Sequence, residues 1–202
     1  MYWRRLTKMA KKVSMKLVNG ALSKNTVFKS EMRKKILRTV ETSKQMLIQE
    51  FASHPVTQEI EGGPTNSNLS GTLGGYGNLF SFIGFPFSTR PTQVVRDLLR
   101  SIQTGKVRRT RSSAASVNVE INVNMPTKED FVAATPFPFE SGRSWLYGIE
   151  TGISGFGSYF FKKWKNSRSS TAFQNKKKIR SGGFKNTSYF SSMLVAFTKR
   201  IR

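Results

Sequence analysis

A helical pattern runs through residues 26–55, which read TVFKSEMRKKILRTVETSKQMLIQEFASHP. Apolar side chains recur at every third or fourth position on one face, with a serine in one slot: Phe28, Met32, Ile36, Val40, Ser43, Leu47 and Phe51. This spacing predicts a helix over residues 26–52, roughly 40 Å long. Asn25 can cap its start, and Pro55 ends it because the residue before a proline resists the helical backbone. We expect this helix to form the backbone of the core.

Other elements follow from the same kind of pattern. Residues 116–125 alternate between Val or Ile and polar side chains, which predicts a half-buried strand. Pro91 suits the first turn of a short helix over 91–103 that Gly105 stops. Further candidate elements are strands over 145–151 and 158–164 and a last helix over 187–201. The predicted fold class is α+β, with a long N-terminal helix packed on a small, mostly antiparallel sheet, a C-terminal helix and extended basic loops.

The N-terminal residues are predicted to be a basic helix. Tyr2, Leu6, Met9, Val13 and Leu17 follow at helical spacing, and Asn19-Gly20 ends the pattern. We therefore expect residues 1–20 to form a basic helix or arm. Residues 21–202 then form one domain, with a glycine- and aromatic-rich segment at 61–90 and a basic loop at 105–115.

The charge of the chain is large and unevenly placed. The 202 residues contain 34 Lys and Arg against 11 Asp and Glu, a net charge of +23. Residues 1–44, 105–111 and 162–202 hold all of the excess. Such blocks predict contact with a polyanion or with acidic protein neighbours. The candidate nucleic-acid contacts are the basic residues of the predicted mobile loop and of a C-terminal run: Lys106, Arg108, Arg109, Arg111, Lys176, Lys177 and Lys178.

The composition excludes several classes of site. Without cysteine the chain has no disulfide, zinc ribbon, thiol catalyst or iron–sulfur cluster, and a single histidine excludes a multi-histidine metal centre. That histidine, His54, is expected to cap a helix or pack. The glycines fit neither a phosphate-binding loop nor a dinucleotide fingerprint. No paired acid and base can be assembled, no apolar run is long enough to span a membrane, and no signal peptide is visible. We expect a non-enzyme without cofactor or metal.

Two aromatic segments, 76–87 and 156–164, are expected to form subunit interfaces, because exposed aromatic rings would make an isolated monomer prone to associate. The candidate interface residues are Tyr76, Phe80, Phe82, Phe156 and Tyr159. Glu150, on the predicted strand 145–151, is expected to face outward and pair with a cation of the next copy. The alternative is a pair within its own chain, with Arg143 as the candidate partner.

The order of these parts resembles the tail-completion, or head–tail joining, proteins of tailed bacteriophages. The resemblance covers about residues 26–202 and has four landmarks: the helix 26–52, Ser70-Gly71-Thr72-Leu73, Tyr147-Gly148-Ile149-Glu150-Thr151-Gly152, and Gly182-Gly183-Phe184 followed by the helix 187–201. In the second landmark a serine stands in place of threonine.

The resemblance implies a structural protein of the phage neck or tail, made in the host cytoplasm and carried in the virion. Its partners would be copies of itself in a ring and other neck or tail proteins, such as the connector, the tail tube or the sheath. Each subunit of a ring shows two different faces. Basic loops around the pore would contact DNA phosphates without reading bases, and no membrane is involved.

Two other interpretations remain open. A basic nucleic-acid-binding protein of a cellular ribonucleoprotein or nucleoid would carry similar terminal charge, and its aromatic strands could stack bases. A membrane-surface protein that uses helix 2–17 is the weakest alternative, because it leaves the C-terminal charge unexplained. The mass of the native assembly, with and without DNA, separates these alternatives.

Overall fold

A computed structural model describes residues 11–17, 26–74, 77–113, 116–138, 140–151 and 187–201. Helices and two small antiparallel sheets share one core, so the predicted α+β class is confirmed. The three-stranded sheet has the order β1-β3-β2, in which β1 is Lys11–Leu17, β2 is Gln103–Ser113 and β3 is Ser116–Asn124.

The predicted long helix is confirmed as α1, Thr26–Ser53. Its apolar stripe faces the core, where Ile36, Val40, Leu47 and Phe51 are at most 2% exposed. The helix ends where the sequence predicts, because Pro55 begins a new helix, α2, Pro55–Glu61. His54 caps that helix: its Nδ1 accepts a hydrogen bond from the Val56 backbone N–H at 3.2 Å. The expectation that His54 caps or packs is confirmed.

The glycine- and aromatic-rich segment 61–90 contains one short helix and leads into another. A short one, α3, spans Leu79–Ile83 and is capped by Asn78, and α4 spans Pro91–Arg100 with Pro91 in its first turn. A left-handed Gly84 closes α3, a conformation that favours glycine. The predicted helix at 91 is confirmed.

The N-terminal helix prediction is wrong for residues 11–17. They form strand β1, which pairs antiparallel with β3 so that Val13 is opposite Ile121 and Leu17 is opposite Val117. Val13, Met15 and Leu17 alternate as well as recurring at helical spacing, and pairing with an alternating neighbour satisfies the backbone along the whole strand. Residues 1–10 lie outside the described residues.

The predicted strand at 116–125 is confirmed as β3, but the predicted mobile loop at 105–115 is wrong. Residues 103–113 form β2, which pairs with β3 along its length, with register shifts near Gly105 and Arg111. Backbone hydrogen bonds to a central strand offset the mutual repulsion of the four basic residues.

The chain then adds a second small sheet and two helices. After α5, Lys128–Ala134, strands β4, Pro136–Phe137, and β5, Glu140–Ser144, pair with each other. The predicted strand at 145–151 is wrong, because Trp145–Thr151 is helix α6. Trp145, Leu146 and Ile149 lie on one face of that helix and are buried. The predicted strand at 158–164 lies outside the described residues.

The predicted C-terminal helix is confirmed as α7, Phe190–Arg200, which packs along α1. The Tyr189 ring stacks on Phe51 with 5.8 Å between centroids, and Phe190 meets both Phe51 and Phe131 edge-on. Arg200 forms an ion pair with Glu50 of α1. This aromatic cluster joins the first and last helices of the described chain.

Candidate nucleic-acid interface

The basic residues of the predicted loop lie on an edge strand of the sheet. Lys106, Arg108, Arg109 and Arg111 belong to β2, whose only strand partner among the described residues is β3. Arg108 stands opposite Glu120 in the register, and Arg111 falls at a register shift. The opposite edge, β1, contributes Lys11, Lys12 and Lys16. Cationic residues therefore flank the central strand on both sides.

The register places basic residues opposite both apolar and polar residues of the central strand. Val13, Met15 and Leu17 are paired with Ile121, Val119 and Val117, and Ile121 and Val123 are at most 1% exposed. Lys11 is paired with Val123 and Arg109 with Val119, whereas Arg108 is paired with Glu120. The two basic edge strands, β1 and β2, are the first candidate surface for a polyanion.

A second basic surface lies on α1. Arg33, Lys34, Lys35 and Arg38 are all exposed. Glu31 accepts a hydrogen bond from Lys34 at 2.8 Å, and that bond is the main reason why the pKa of Glu31 is lowered. The cation of Lys34 is therefore already paired.

Two of these cations remain available in a groove. An open groove of about 530 Å³ runs along α1, where Lys35 and Arg38 lie beside the hydroxyl-bearing side chains of Thr39 and Thr42. Neither cation forms an ion pair with another described residue. Cations beside hydroxyl donors are groups that bind backbone phosphates. Lys35 and Arg38 are not among the contacts predicted from the sequence, although the helical pattern places them away from the apolar stripe.

Glu150 forms hydrogen bonds within its own chain. Its Oε1 accepts hydrogen bonds from the backbone N–H groups of Tyr189 at 3.2 Å and Ser191 at 2.6 Å, so it caps the start of α7. The first N–H groups of a helix have no partner within the helix, and a carboxylate there is favoured by the helix dipole. The alternative of a bond within the chain is therefore present, with the start of α7 as a partner of Glu150.

The aromatic interface residues fall into different environments. Phe80 is 3% exposed and packs at 5.5 Å from Phe85 between ring centroids, so it belongs to the protein's own core and offers no surface to a partner. Phe82 is half-buried. Tyr76, Phe156 and Tyr159, and the basic run Lys176, Lys177 and Lys178, lie outside the described residues.

A buried carboxylate organises the loop between α2 and α3. Glu59 is fully buried, and its two oxygens accept the backbone N–H groups of Ser70 and Leu79, each at 2.7 Å. Asn78 donates to the backbone oxygens of Pro64 and Asn66, both at 2.8 Å. These bonds hold the Ser70-Gly71-Thr72-Leu73 landmark against α2, with Thr72 and Leu73 fully buried.

The titratable groups of the core serve packing. Burial lowers the pKa of His54, whose ring lies 4.7 Å from that of Tyr189. Burial raises the pKa of Tyr189 well above its ordinary value, and its hydroxyl shares a hydrogen bond with Thr57. Both groups tie the α1–α2 corner to α7.

The described part of the chain contains no cluster of three or more His, Cys, Asp or Glu side chains that could hold a metal ion. None of the helices within the described ranges is both long and apolar enough to cross a membrane. Comparisons with protein-family models, with curated proteins and with solved structures found no match to this chain.

Proposed function

We propose that this chain is a structural virion protein of a phage neck or tail, of the tail-completion or head–tail joining type. It forms a ring with copies of itself, contacts other neck or tail proteins, and touches DNA through its basic surfaces. The proposal rests on the order of the four sequence landmarks. The observation that carries it is the Glu150 cap, which joins the Tyr-x-x-Glu-x-Gly landmark to the last helix.

The use of the acidic side chains supports a scaffold role. Glu59 and Glu150 bind backbone N–H groups, Glu50 and Glu61 pair with Arg200 and Arg96, and Asp130 caps α5. Acids engaged in this way hold elements in place. A protein that must keep its shape between neighbours benefits from such bonds.

The DNA contact is supported by the basic surfaces on β1, β2 and α1. Lys35 and Arg38 offer cations that form no ion pair with a described residue, although Glu31 lines the same groove. Phosphate contacts of this kind release counterions and carry no base preference. We therefore assign them to passing or packaged duplex rather than to a specific sequence.

The test is the mass of the native assembly, by light scattering and electron microscopy, with and without duplex DNA. A closed ring supports the proposal, and a monomer under all conditions contradicts it.

The DNA contact is tested by the double variant Lys35→Glu with Arg38→Glu. It should reduce the slope of log affinity against log salt by up to about 0.9 for each lost phosphate contact. The charge-matched control is Arg100→Glu with Lys199→Glu, both exposed and distant from the α1 groove along the chain.

A second candidate is the basic nucleic-acid-binding protein of a cellular ribonucleoprotein or nucleoid. The specific observation in its favour is that Arg108 and Arg109 belong to an ordered strand of a sheet rather than to a loop. Basic residues along a strand can follow the backbone of a single-stranded nucleic acid. Tight binding of nucleic acid by a monomer, without ring formation, favours this candidate.

A further inference from the structure

An apolar groove of about 330 Å³ lies between the loop 85–91, the start of α4 and the β4–β5 region. Its walls include rigid and aromatic side chains: Pro86, Pro91, Val94, Pro136, Pro138 and Trp145. Ligand pockets in proteins are about 300–1,000 Å³, so this groove is small and suits one or two side chains rather than a whole cofactor. Prolines fix their backbone, and the groove is therefore formed before anything enters it.

One exposed apolar side chain lines the groove, and another follows a lining residue in the sequence. Phe87 directly follows the lining residue Pro86 and is 71% exposed, the largest value for a big apolar side chain in the described part of the chain. Val94 lines the groove and is 37% exposed. Exposed apolar side chains at and near an apolar groove are typical of a protein–protein contact.

The charge at the rim indicates which partner fits. Arg90 is exposed, stands between the lining residues Thr89 and Pro91, and has no ion pair with any described residue. A second copy of this chain that docked face to face here would bring its own Arg90 to the same rim. An acidic partner is attracted, whereas a copy is repelled.

We propose that this groove docks an extended segment of another protein in which an aromatic side chain stands beside a carboxylate. The ring enters between Val94 and Trp145, and the carboxylate pairs with Arg90. Phe87 covers the entering segment from the side of the loop. This inference goes beyond the proposed function and stands whether or not the chain belongs to a virion.

The probe is a short fluorescein-labelled peptide with one phenylalanine flanked by aspartates, titrated with the full-length protein at physiological salt and followed by anisotropy. Two companion peptides carry alanine in place of phenylalanine, or lysines in place of aspartates. The protein variants are Val94→Glu, which places a charge at the groove wall, and Arg90→Glu. The matched control is Val27→Glu on α1, because Val27 is also exposed, at 66%.

We expect the phenylalanine–aspartate peptide to bind, and the alanine and lysine peptides to bind at least about tenfold more weakly. Val94→Glu should weaken binding about tenfold and Arg90→Glu about fivefold, while Val27→Glu leaves it unchanged. Circular dichroism and melting curves identify any variant that fails to fold, and Arg90→Glu alone then keeps the test valid.

Three results overturn the inference. Equal binding of the alanine peptide means that only net charge is being measured. No binding up to about 1 mM peptide means that the groove has no such ligand. A self-associated protein that Val94→Glu dissociates means that a second copy occupies the groove.

Discussion

The carboxylate of Glu150 lies 2.6 Å from the backbone nitrogen of Ser191, so a side chain of α6 holds the first turn of the last helix. The two residues are 41 positions apart in the chain. Because α7 packs along α1 through Phe190 and Phe51, this single acid links the third and fourth landmarks of the sequence to the first. Substitutions of Glu150 should therefore change the stability of the folded protein.

Glu150→Gln should destabilise the folded protein by about 0.5–2 kcal/mol, because an amide is a weaker cap than a carboxylate and one end of it cannot accept. Urea unfolding measures the change. Glu41→Gln is the control, since Glu41 is exposed on α1 and bonds only Gln45 among the described residues. Equal stability of the two variants contradicts the capping role, and a normally stable Glu150→Gln protein that fails to assemble restores the interface role.

Glu59→Gln should destabilise the protein by about 1–3 kcal/mol, since one buried backbone N–H is left without a good acceptor. The loss should appear locally first. Hydrogen exchange at the amides of Ser70 and Leu79 should accelerate more than exchange in α1. If both amides keep their wild-type protection, Glu59 does not hold the loop.

The stability of the α1–α2 corner should fall as the pH drops below about 6.5. Burial lowers the pKa of His54 in the folded state, so the unfolded chain binds the proton more readily and acid favours unfolding. A protonated ring also cannot accept the Val56 N–H bond. The His54→Asn variant keeps a capping side chain that does not titrate, so its stability should not fall in this way at acid pH. An identical pH profile for the two proteins argues against the prediction.

At alkaline pH the relevant group is Tyr189. Burial raises its pKa above the ordinary value near 10, so above that pH the unfolded chain loses the proton that the folded protein keeps. Stability should fall as the pH rises through 10, and Tyr189→Phe should remove this part of the loss. Tyr189→Phe should also cost about 1 kcal/mol at neutral pH, through the lost bond to Thr57. Absorbance of ionised tyrosine during the titration provides an independent readout.

The sequence predicts the elements in which the apolar residues keep one spacing, either helical or alternating, over a long stretch. The stripe from Phe28 to Phe51 and the alternation from Val117 to Val123 each allow one interpretation, and both elements are confirmed. His54 could be assigned because a single histidine before a proline has few roles. Residues 11–17 and 145–151 fit both a helix and a strand. Their outcome depends on β3 and on the burial of Trp145, which are distant contacts that no local pattern records.

Only part of the candidate site could be predicted from the sequence, because its geometry also depends on contacts between residues that are distant in the chain. The four basic residues of β2 were found, but their strand was not, because strand pairing overcomes the composition of a loop. The partners that the structure shows for Glu150 are backbone N–H groups at the start of a later helix, and such contacts cannot be read from a sequence. Lys35 and Arg38 could not be distinguished from the other basic residues of 1–44, although a helical wheel places them outside the apolar stripe.

The order of strands in the sheet has a consequence for synthesis on the ribosome. Strand β1 is made early, but its partner β3 follows about a hundred residues later. At about 5–20 residues per second, β1 waits roughly 5–20 s for the strand that completes its hydrogen bonds. During that interval its alternating apolar residues are open to other nascent chains. We expect Lys11, Lys12 and Lys16 to limit such pairing, because like charges on an unpaired strand discourage pairing between copies of it on a polysome.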